Sequence, residues 1–300
     1  MCIETIGFFV NTTKEKALEV VPKTITWLRG NGIESLIADD EADAVLEDRC
    51  DEFNGPITEL NQITQRLKEN RESLGAINAE HDEMSVKVSS SGKITVGVYD
   101  RSSPSKRIIA ELMILYNTLM ATFCQHNNLP ALYRSQVQSD VTDIDEPGAV
   151  LRHHMVMKRL VPATTGIYPS PHSSLGVGAY TQVTSPLRRY TDLAMQRQIN
   201  HKMDSNQALY PNDQIESLGK ISDLNIRELA RIEESRKRYW FLKYLKQERL
   251  EDSGVPENMS LFPATILEPS TNRPALLELD EFPFKVRAQV PRGKQPGEMV

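Results

Sequence analysis

The sequence has few cysteines, no excess of positive charge and no long apolar run. Cys2, Cys50 and Cys124 are far apart and form no Cys-x-x-Cys pair, so we expect neither a disulfide framework nor a zinc site, and we predict a reducing, cytoplasmic environment. The net charge of −6 argues against broad attraction to nucleic acid and restricts any such site to a local basic patch. No run approaches the roughly 18 apolar residues of a membrane span, so no membrane partner is expected.

The spacing of the apolar residues predicts a mixed α and β fold. The chain of 300 residues, 39% hydrophobic and 25% charged, is typical of a globular protein with one to three domains. Alternating residues predict a β-hairpin over 84–101, and helical spacing predicts long helices over 104–125 and 213–251. Helix 104–125 is apolar enough to be buried, and its polar residues Glu111 and Asn117 are expected to face solvent or neighbouring loops.

The stretch from Pro171 to Leu193 has the chemistry of a phosphate-binding turn. Ser185-Pro186 turns the chain, and Arg188-Arg189-Tyr190 follows where a helix is predicted to begin. A guanidinium is a rigid fork of donors that matches phosphate oxygens, and an aromatic ring beside it can stack on a base. A solvated arginine pair at a helix start is the competing interpretation.

The same stretch resembles the signature of the ribonuclease II/R family catalytic domain, the RNB domain. The similarity is carried by His172, Leu175-Gly176, Tyr180, Thr184-Ser185-Pro186, Arg188-Arg189-Tyr190 and Asp192-Leu193. The resemblance implies 3′-to-5′ hydrolysis of single-stranded RNA with Mg²⁺. It also implies that Arg188 contacts the scissile phosphate and that Glu234 lies in the active-site channel. The expected RNA-binding residues are Arg134, His172, Tyr180, Thr184, Ser185, Arg188, Arg189 and Tyr190.

The resemblance spans about residues 57 to 250 and predicts a helix-rich RNB-like domain over 57–252 whose first half is missing. The family's metal is held by an Ile-Asp-Asp-x-Asp-Asp-like run near the start of the domain, and this chain has no such run, so no metal ligands are assigned. The tail, 253–300, resembles the opening strands of an oligonucleotide-binding (OB) barrel. It is predicted to be a partial OB-type RNA-binding segment, because it is too short to close five strands.

The N-terminal residues 1–45 resemble a different family, NAD kinase, in its first strand, helix and second strand. The family's Gly-Gly-Asp-Gly motif is absent, and no two adjacent glycines occur in the chain, so NAD kinase activity is not expected. An acidic linker over 46–56 is predicted to join this βαβ fragment to the RNB-like domain. Such a join could arise from a gene fusion, a deletion or an assembly error.

Three hypotheses for function follow. The first is a protein that binds single-stranded RNA but has lost catalysis, because the Asp cluster is absent. The second is an active Mg²⁺-dependent exoribonuclease that uses substitute carboxylates from the acidic linker or from the loop Asp140–Asp145, which is otherwise predicted to be solvated. The third is a non-catalytic helical scaffold in which the signature survives only as packing.

Overall fold

The computed structural model describes residues 5–8, 23, 34–37, 54–77, 81–99, 103–141, 143–146, 148–247, 262–270 and 273–300. The chain divides into two compact units, residues 1–68 with 103–111 and residues 69–102 with 112–300. The helices are α1 (Asn54–Ser73), α2 (Pro104–His126), α3 (Ala149–Arg159), α4 (Tyr190–Ser205) and α5 (Asn212–Leu245). The strands are β1 (Thr5–Phe8), β2 (Glu34–Ile37), β3 (Glu83–Val88), β4 (Ile94–Tyr99), β5 (Tyr133–Ser135), β6 (Thr164–Gly166), β7 (Ala264–Glu268), β8 (Ala275–Leu279) and β9 (Lys285–Ala288). The predicted α+β class is confirmed.

The first unit contains a parallel strand pair. Strand β1 pairs with β2 in the register Thr5 to Glu34, which confirms the parallel pairing expected of a strand-helix-strand fragment. Of the helix predicted between them, Lys23 alone is described, and it is helical. Residues 46–53 of the predicted acidic linker lie outside the described residues. The described start of α2 meets α1 where Arg107 Nη2 donates a hydrogen bond to Asn61 Oδ1 at 2.8 Å.

The predicted hairpin and the predicted long helix are both confirmed, but the burial of the helix differs from the prediction. Strands β3 and β4 pair antiparallel around a turn in which Gly92 has a φ of 82°. In α2, Glu111 and Asn117 are buried at 4% and 0% exposure, so of the two predicted surroundings solvent is wrong for both, whereas Asn117 does contact a neighbouring segment. Apolar Tyr116 and Leu119 are instead about half exposed. By length and hydropathy alone α2 could cross a membrane, a property that core helices of soluble proteins share.

Two apolar cores organise the second unit. The first core joins the end of α2 and strand β5 to helices α4 and α5 and to an extended segment before α4. Its buried members are Ala121, Cys124, Leu129, Ala131, Leu132, Tyr133, Ala179, Val183, Met195, Ile199 and Ile215. Burial raises the pKa of the Cys124 thiol to about 12, so this cysteine is an inert core residue. The signature stretch therefore supplies part of the core, as Ala179 and Val183, as well as the candidate site.

The second core lies under the C-terminal sheet. Strands β7, β8 and β9 pair antiparallel in that order, and residues 297–300 pair with the outer side of β7. Phe241 of α5 is fully buried against this sheet and packs on Phe282 and Phe284, with ring centroids 5.1 and 4.4 Å away. The short β segments predicted for the tail are confirmed.

The middle of α5 is not covered by either core. Ile221, Leu224, Leu229 and Ile232 are 60–65% exposed, whereas Ile215, Gly219, Phe241 and Leu245 at the two ends are buried. The apolar stripe predicted along this helix is therefore buried only where the helix meets the two cores.

Candidate functional site

The signature stretch begins with a short turn that is fixed against the end of α1. His172 bridges to Gln136 and Val177, and a 3-10 turn over Ser173–Leu175 follows. Gly176 then has a φ of 64°, and a Cβ at this position would lie 2.5 Å from the backbone oxygen of Arg71. Only glycine fits such a left-handed, close-packed position. Arg71 Nη1 also donates to Leu175 O at 2.8 Å, so the start of the stretch is tied to α1 by both backbone and side chain.

The next segment, residues 180–184, is extended and runs beside α2. The N–H of Arg134 in β5 donates to Tyr180 O at 2.8 Å. Buried Asn117 donates to Tyr180 Oη at 2.9 Å and accepts from the N–H of Val183 at 3.0 Å. Sequence reasoning missed this role for Asn117, because an isolated polar residue in an apolar helix gives no sign of the segment that it contacts.

The turn that carries the two arginines is organised by Asp192, whose side chain is fully buried in the first turn of α4. Its carboxylate accepts hydrogen bonds from Ser185 N at 2.9 Å and from Arg189 Nε and Nη2 at 2.9 and 2.7 Å. Thr191 Oγ1 also donates to it at 3.5 Å. One face of the Arg189 guanidinium is therefore already occupied by a carboxylate and cannot also grip a phosphate.

Arg188 is placed differently from its neighbour. It is exposed, and its contact with Ser185 Oγ, at 3.4 Å, is long for a hydrogen bond. Tyr190, at 61% exposure, and Leu187, which is fully exposed, lie on either side of the arginine pair. The turn thus presents one cation, one aromatic ring and one apolar side chain to solvent, on a backbone that Asp192 holds in place.

His172 and Tyr180, in contrast, are buried. Both are less than 9% exposed, and their rings meet edge to face at 5.7 Å. Burial, reinforced by the positive charge of Arg134, lowers the pKa of His172 to about 4, so its imidazole is neutral at pH 7. Burial likewise raises the pKa of Tyr180. These two side chains can support the surface, but in this conformation they do not present a polar edge to solvent.

The other predicted RNA-binding residues occupy intermediate positions. Thr184 and Ser185 are half-buried, and Thr184 Oγ1 accepts a hydrogen bond from Asn117 at 3.3 Å. Arg134 is also half-buried and lines a cavity of about 20 Å³, enough for one water molecule, together with Gln182 and Thr191. Of the eight predicted residues, Arg188 and Tyr190 are thus the exposed ones.

Glu234 is not brought to the arginine turn by any contact of the described structure. It lines a separate cavity of about 270 Å³. There it lies with His81, Lys237 and Lys285, and with Glu278, which is 3% exposed and accepts from His81 Nε2 at 2.7 Å. The predicted catalytic role of Glu234 stays a prediction.

The carboxylates of the described residues do not fit a Mg²⁺ centre. Asp140, Asp143 and Asp145 are exposed, and Asp143 is engaged by Arg159, which lowers the pKa of that carboxyl. Among the described residues, no three Asp, Glu, His or Cys side chains converge closely enough to hold a metal ion. Divalent cations need several convergent oxygen ligands, and the described part of the chain does not supply such a set.

Asp192 is the second functional residue that sequence reasoning did not assign. A signal was available, because it follows Arg189 by three residues at a helix start, where an acidic side chain is favoured by the helix dipole and can reach an arginine one turn earlier. Gln196 had no such signal. It donates to Val183 O at 2.6 Å, a contact between a helix and a segment of irregular backbone.

Comparison with known proteins gives a consistent picture. The sequence model described as the RNB domain matches residues 33–150 and 136–204, which together make up more than half of the chain. An uncharacterized ribonuclease of Synechocystis is 29% identical over 192 residues, and ribonuclease II of Arabidopsis thaliana chloroplasts and mitochondria is 27% identical over 213 residues. These alignments cover 63% and 69% of this chain but only 29% and 25% of the relatives, so the chain spans less than a third of their length.

Solved structures show the same fold. The Dss1 exoribonuclease of Candida glabrata matches with a TM-score of 0.72 at 19% identity, over 89% of this chain and 36% of that one. RNase R of Mycoplasma genitalium, in complex with ribose-methylated single-stranded RNA, matches with a TM-score of 0.66 at 18% identity, over 85% and 45% of the two chains. Yeast Ssd1, a pseudonuclease, matches with a TM-score of 0.54 at 16% identity, over 85% and 35%.

Proposed function

The chain belongs to the RNB domain family, and from that premise we propose that it binds single-stranded RNA through the exposed turn of Leu187, Arg188 and Tyr190. The observation that carries this proposal is that the two adjacent arginines have different surroundings: one is bonded to a buried carboxylate and the other is exposed. Arg189 and Asp192 hold the turn through buried bonds, and Arg188 is left exposed two residues before the exposed Tyr190. A guanidinium next to an aromatic ring suits a phosphate and the adjoining base of a flexible strand.

The second part of the proposal is that this chain does not cleave the RNA that it binds. Phosphodiester hydrolysis in this family, as the resemblance implies, uses a metal held by a run of aspartates that this sequence lacks. The remaining groups can hold a phosphate, but they contribute no activated water. The pseudonuclease Ssd1, which shares the fold, supports the idea that the RNB architecture can be retained without cleavage.

RNA binding is tested by titrating the protein into a fluorescein-labelled single-stranded oligoadenylate and measuring anisotropy at several salt concentrations. Arg188→Ala should raise Kd about tenfold and reduce the slope of log Kd against log salt by about one, because one phosphate contact is lost. The matched control is Arg152→Ala, which removes an exposed arginine from α3 and should leave Kd within about twofold. Equal affinities of the wild type and Arg188→Ala would contradict the proposal and favour a non-catalytic scaffold.

One observation favours an active enzyme as a second candidate. The RNB-domain match begins at residue 33 and so includes the acidic stretch 39–56, most of which lies outside the described residues. Carboxylates from this stretch could then serve as substitute metal ligands. Incubating the protein with the same RNA and Mg²⁺, followed by a denaturing gel, separates the candidates. Shortening of the RNA that Arg188→Ala abolishes would establish the exoribonuclease, and an unchanged RNA length supports binding alone.

A further inference from the structure

Asn117 is a polar side chain that the structure buries completely in the middle of an apolar helix. Its three side-chain hydrogen bonds are all made with one segment. Its Nδ2 donates to Tyr180 Oη at 2.9 Å and to Thr184 Oγ1 at 3.3 Å, and its Oδ1 accepts from Val183 N at 3.0 Å. Its backbone oxygen also accepts from Thr181 N at 3.4 Å. A buried amide costs free energy unless it is fully bonded, and here the partners all lie within residues 180–184.

This segment is extended and contacts β5 at Tyr180, but at Val183 polar side chains take the place of a neighbouring strand. The N–H of Val183 is bonded by Asn117 and its C=O by Gln196 Nε2, at 3.0 and 2.6 Å. The hydroxyl of Thr181 donates to the C=O of Leu132. Backbone bonds hold Tyr180 and Thr181, but the N–H and C=O of Val183 are bonded by side chains, so the position of the segment at Val183 and Thr184 depends on Asn117 of α2 and Gln196 of α4.

The segment leads directly into the arginine turn. Thr184, bonded by Asn117, is followed by Ser185, whose N–H is bonded by Asp192 at 2.9 Å. The two consecutive residues are therefore held by two different helices, Thr184 by α2 and Ser185 by α4. Arg188 comes three residues later, so the place at which its guanidinium meets solvent depends on both anchors.

We propose that Asn117 is a positioning residue of the RNA-binding turn, acting on Arg188 through Thr184 and Ser185. The inference rests on the proposed function for its ligand, single-stranded RNA, but it concerns how the turn is held. A residue with a merely structural role would lower stability without changing the position or the affinity of the turn.

Gln198 provides a matched control. It is also fully buried in α4, and its side chain makes four hydrogen bonds, to Pro130 O, Tyr210 O, Leu209 N and Tyr210 N. Three of these bonds hold the connection between α4 and α5, the fourth goes to Pro130 O, and none goes to the arginine turn. Asn117→Leu and Gln198→Leu thus remove comparable sets of buried hydrogen bonds from the same unit, and they differ in the segment that is released.

The first measurement is RNA affinity, with the oligoadenylate used above and at a temperature where circular dichroism shows each variant folded. We expect Asn117→Leu to raise Kd at least fivefold and Gln198→Leu to leave it within twofold. In an Arg188→Ala background the effect of Asn117→Leu should shrink to less than twofold, because Asn117 acts through Arg188. An undiminished effect in that background, or an unchanged Kd, overturns the proposal.

The second measurement needs no RNA. Limited trypsin digestion, read by mass spectrometry, reports cleavage after Arg188 and Arg189. Asn117→Leu should speed cleavage at these bonds several-fold, whereas Gln198→Leu should not; equal rates overturn the inference. Gln196→Ala removes a half-buried side chain and the hydrogen bond that it donates to Val183 O, so it should also speed cleavage. It replaces Asn117→Leu in this measurement if Asn117→Leu does not fold. If wild type binds no RNA while the trypsin difference is observed, the proposed function fails and the positioning role stands.

Discussion

Replacing each of the two adjacent arginines of the turn by alanine should change the free energy of unfolding by very different amounts. Arg189→Ala removes the Nε and Nη2 hydrogen bonds at 2.9 and 2.7 Å from a carboxylate that has no exposed surface. Hydrogen bonds to charged groups contribute about 1.5–3 kcal/mol each, and breaking a buried ion pair from one side costs about 3–5 kcal/mol. Asp192 keeps its bonds from Ser185 and Thr191, so we expect the lower end, a loss of about 3 kcal/mol.

Arg188→Ala is the matched control, because it removes the same side chain one position away. Arg188 is exposed and its bond to Ser185 Oγ is long, so the free energy of unfolding should change by less than about 0.5 kcal/mol. The RNA titration should distinguish the two variants by cause. Arg188→Ala loses the proposed contact with RNA directly, in a protein of unchanged stability. Arg189→Ala loses affinity only as far as the turn is released.

Urea unfolding followed by far-ultraviolet circular dichroism measures both free energies, with the slope m checked for constancy. The double variant Arg189→Ala/Asp192→Asn should recover part of the lost stability, because no unpaired buried charge remains. If Arg189→Ala and Arg188→Ala unfold at the same urea concentration, Asp192 does not depend on Arg189, and the assignment of one arginine to structure and the other to RNA is refuted.

Three further expectations concern stability. Unfolded His172 binds a proton below about pH 6.5 whereas the folded residue, with its pKa of about 4, does not, so stability is lost as the pH falls, by about 2 kcal/mol from pH 7 to pH 5. The curve of His172→Phe should be flatter by that amount in urea titrations at each pH, and parallel curves would contradict the burial of the imidazole. Gly176→Ala should cost about 2 kcal/mol, because the residue has a positive φ and its Cβ would strike Arg71 O, whereas Gly166→Ala, with open space, should cost less than half as much by the same assay. His81→Ala should cost about 2 kcal/mol at pH 7, since it leaves buried Glu278 without its 2.7 Å partner, and His126→Ala, an exposed histidine, should be neutral in thermal unfolding.

The sequence predicted the elements better than it predicted the burial of their side chains. Regular patterns, such as the alternation that forms β3 and β4 and the start of α4 at the arginine pair, depend on neighbours along the chain and were predicted. The burial of Asn117 and Glu111 depends on what packs against α2, which periodicity does not reveal. Polar residues in an apolar helix are ambiguous, because solvent and a distant hydrogen-bonding segment satisfy them equally well.

The candidate site shows the same limit at the level of single residues. The resemblance identified the stretch 171–193, but it predicted the same RNA-binding role for Arg188 and Arg189. Their roles differ only in the folded structure, because Arg189 and not Arg188 bonds the Asp192 carboxylate. Likewise, His172 and Tyr180 belong to the stretch by sequence but lie beneath its surface, where desolvation governs their protonation.

The fixed backbone of the arginine turn has a kinetic consequence. Because Asp192 already holds Ser185 and Arg189, a single-stranded RNA that binds as proposed needs to order little more than the Arg188 and Tyr190 side chains. Immobilising two such side chains costs about 1–3 kcal/mol, far less than folding a loop around the ligand. Association should therefore be a single, concentration-dependent phase without a slow rearrangement, and substitutions that loosen the turn should change the residence time of the strand more than its rate of arrival.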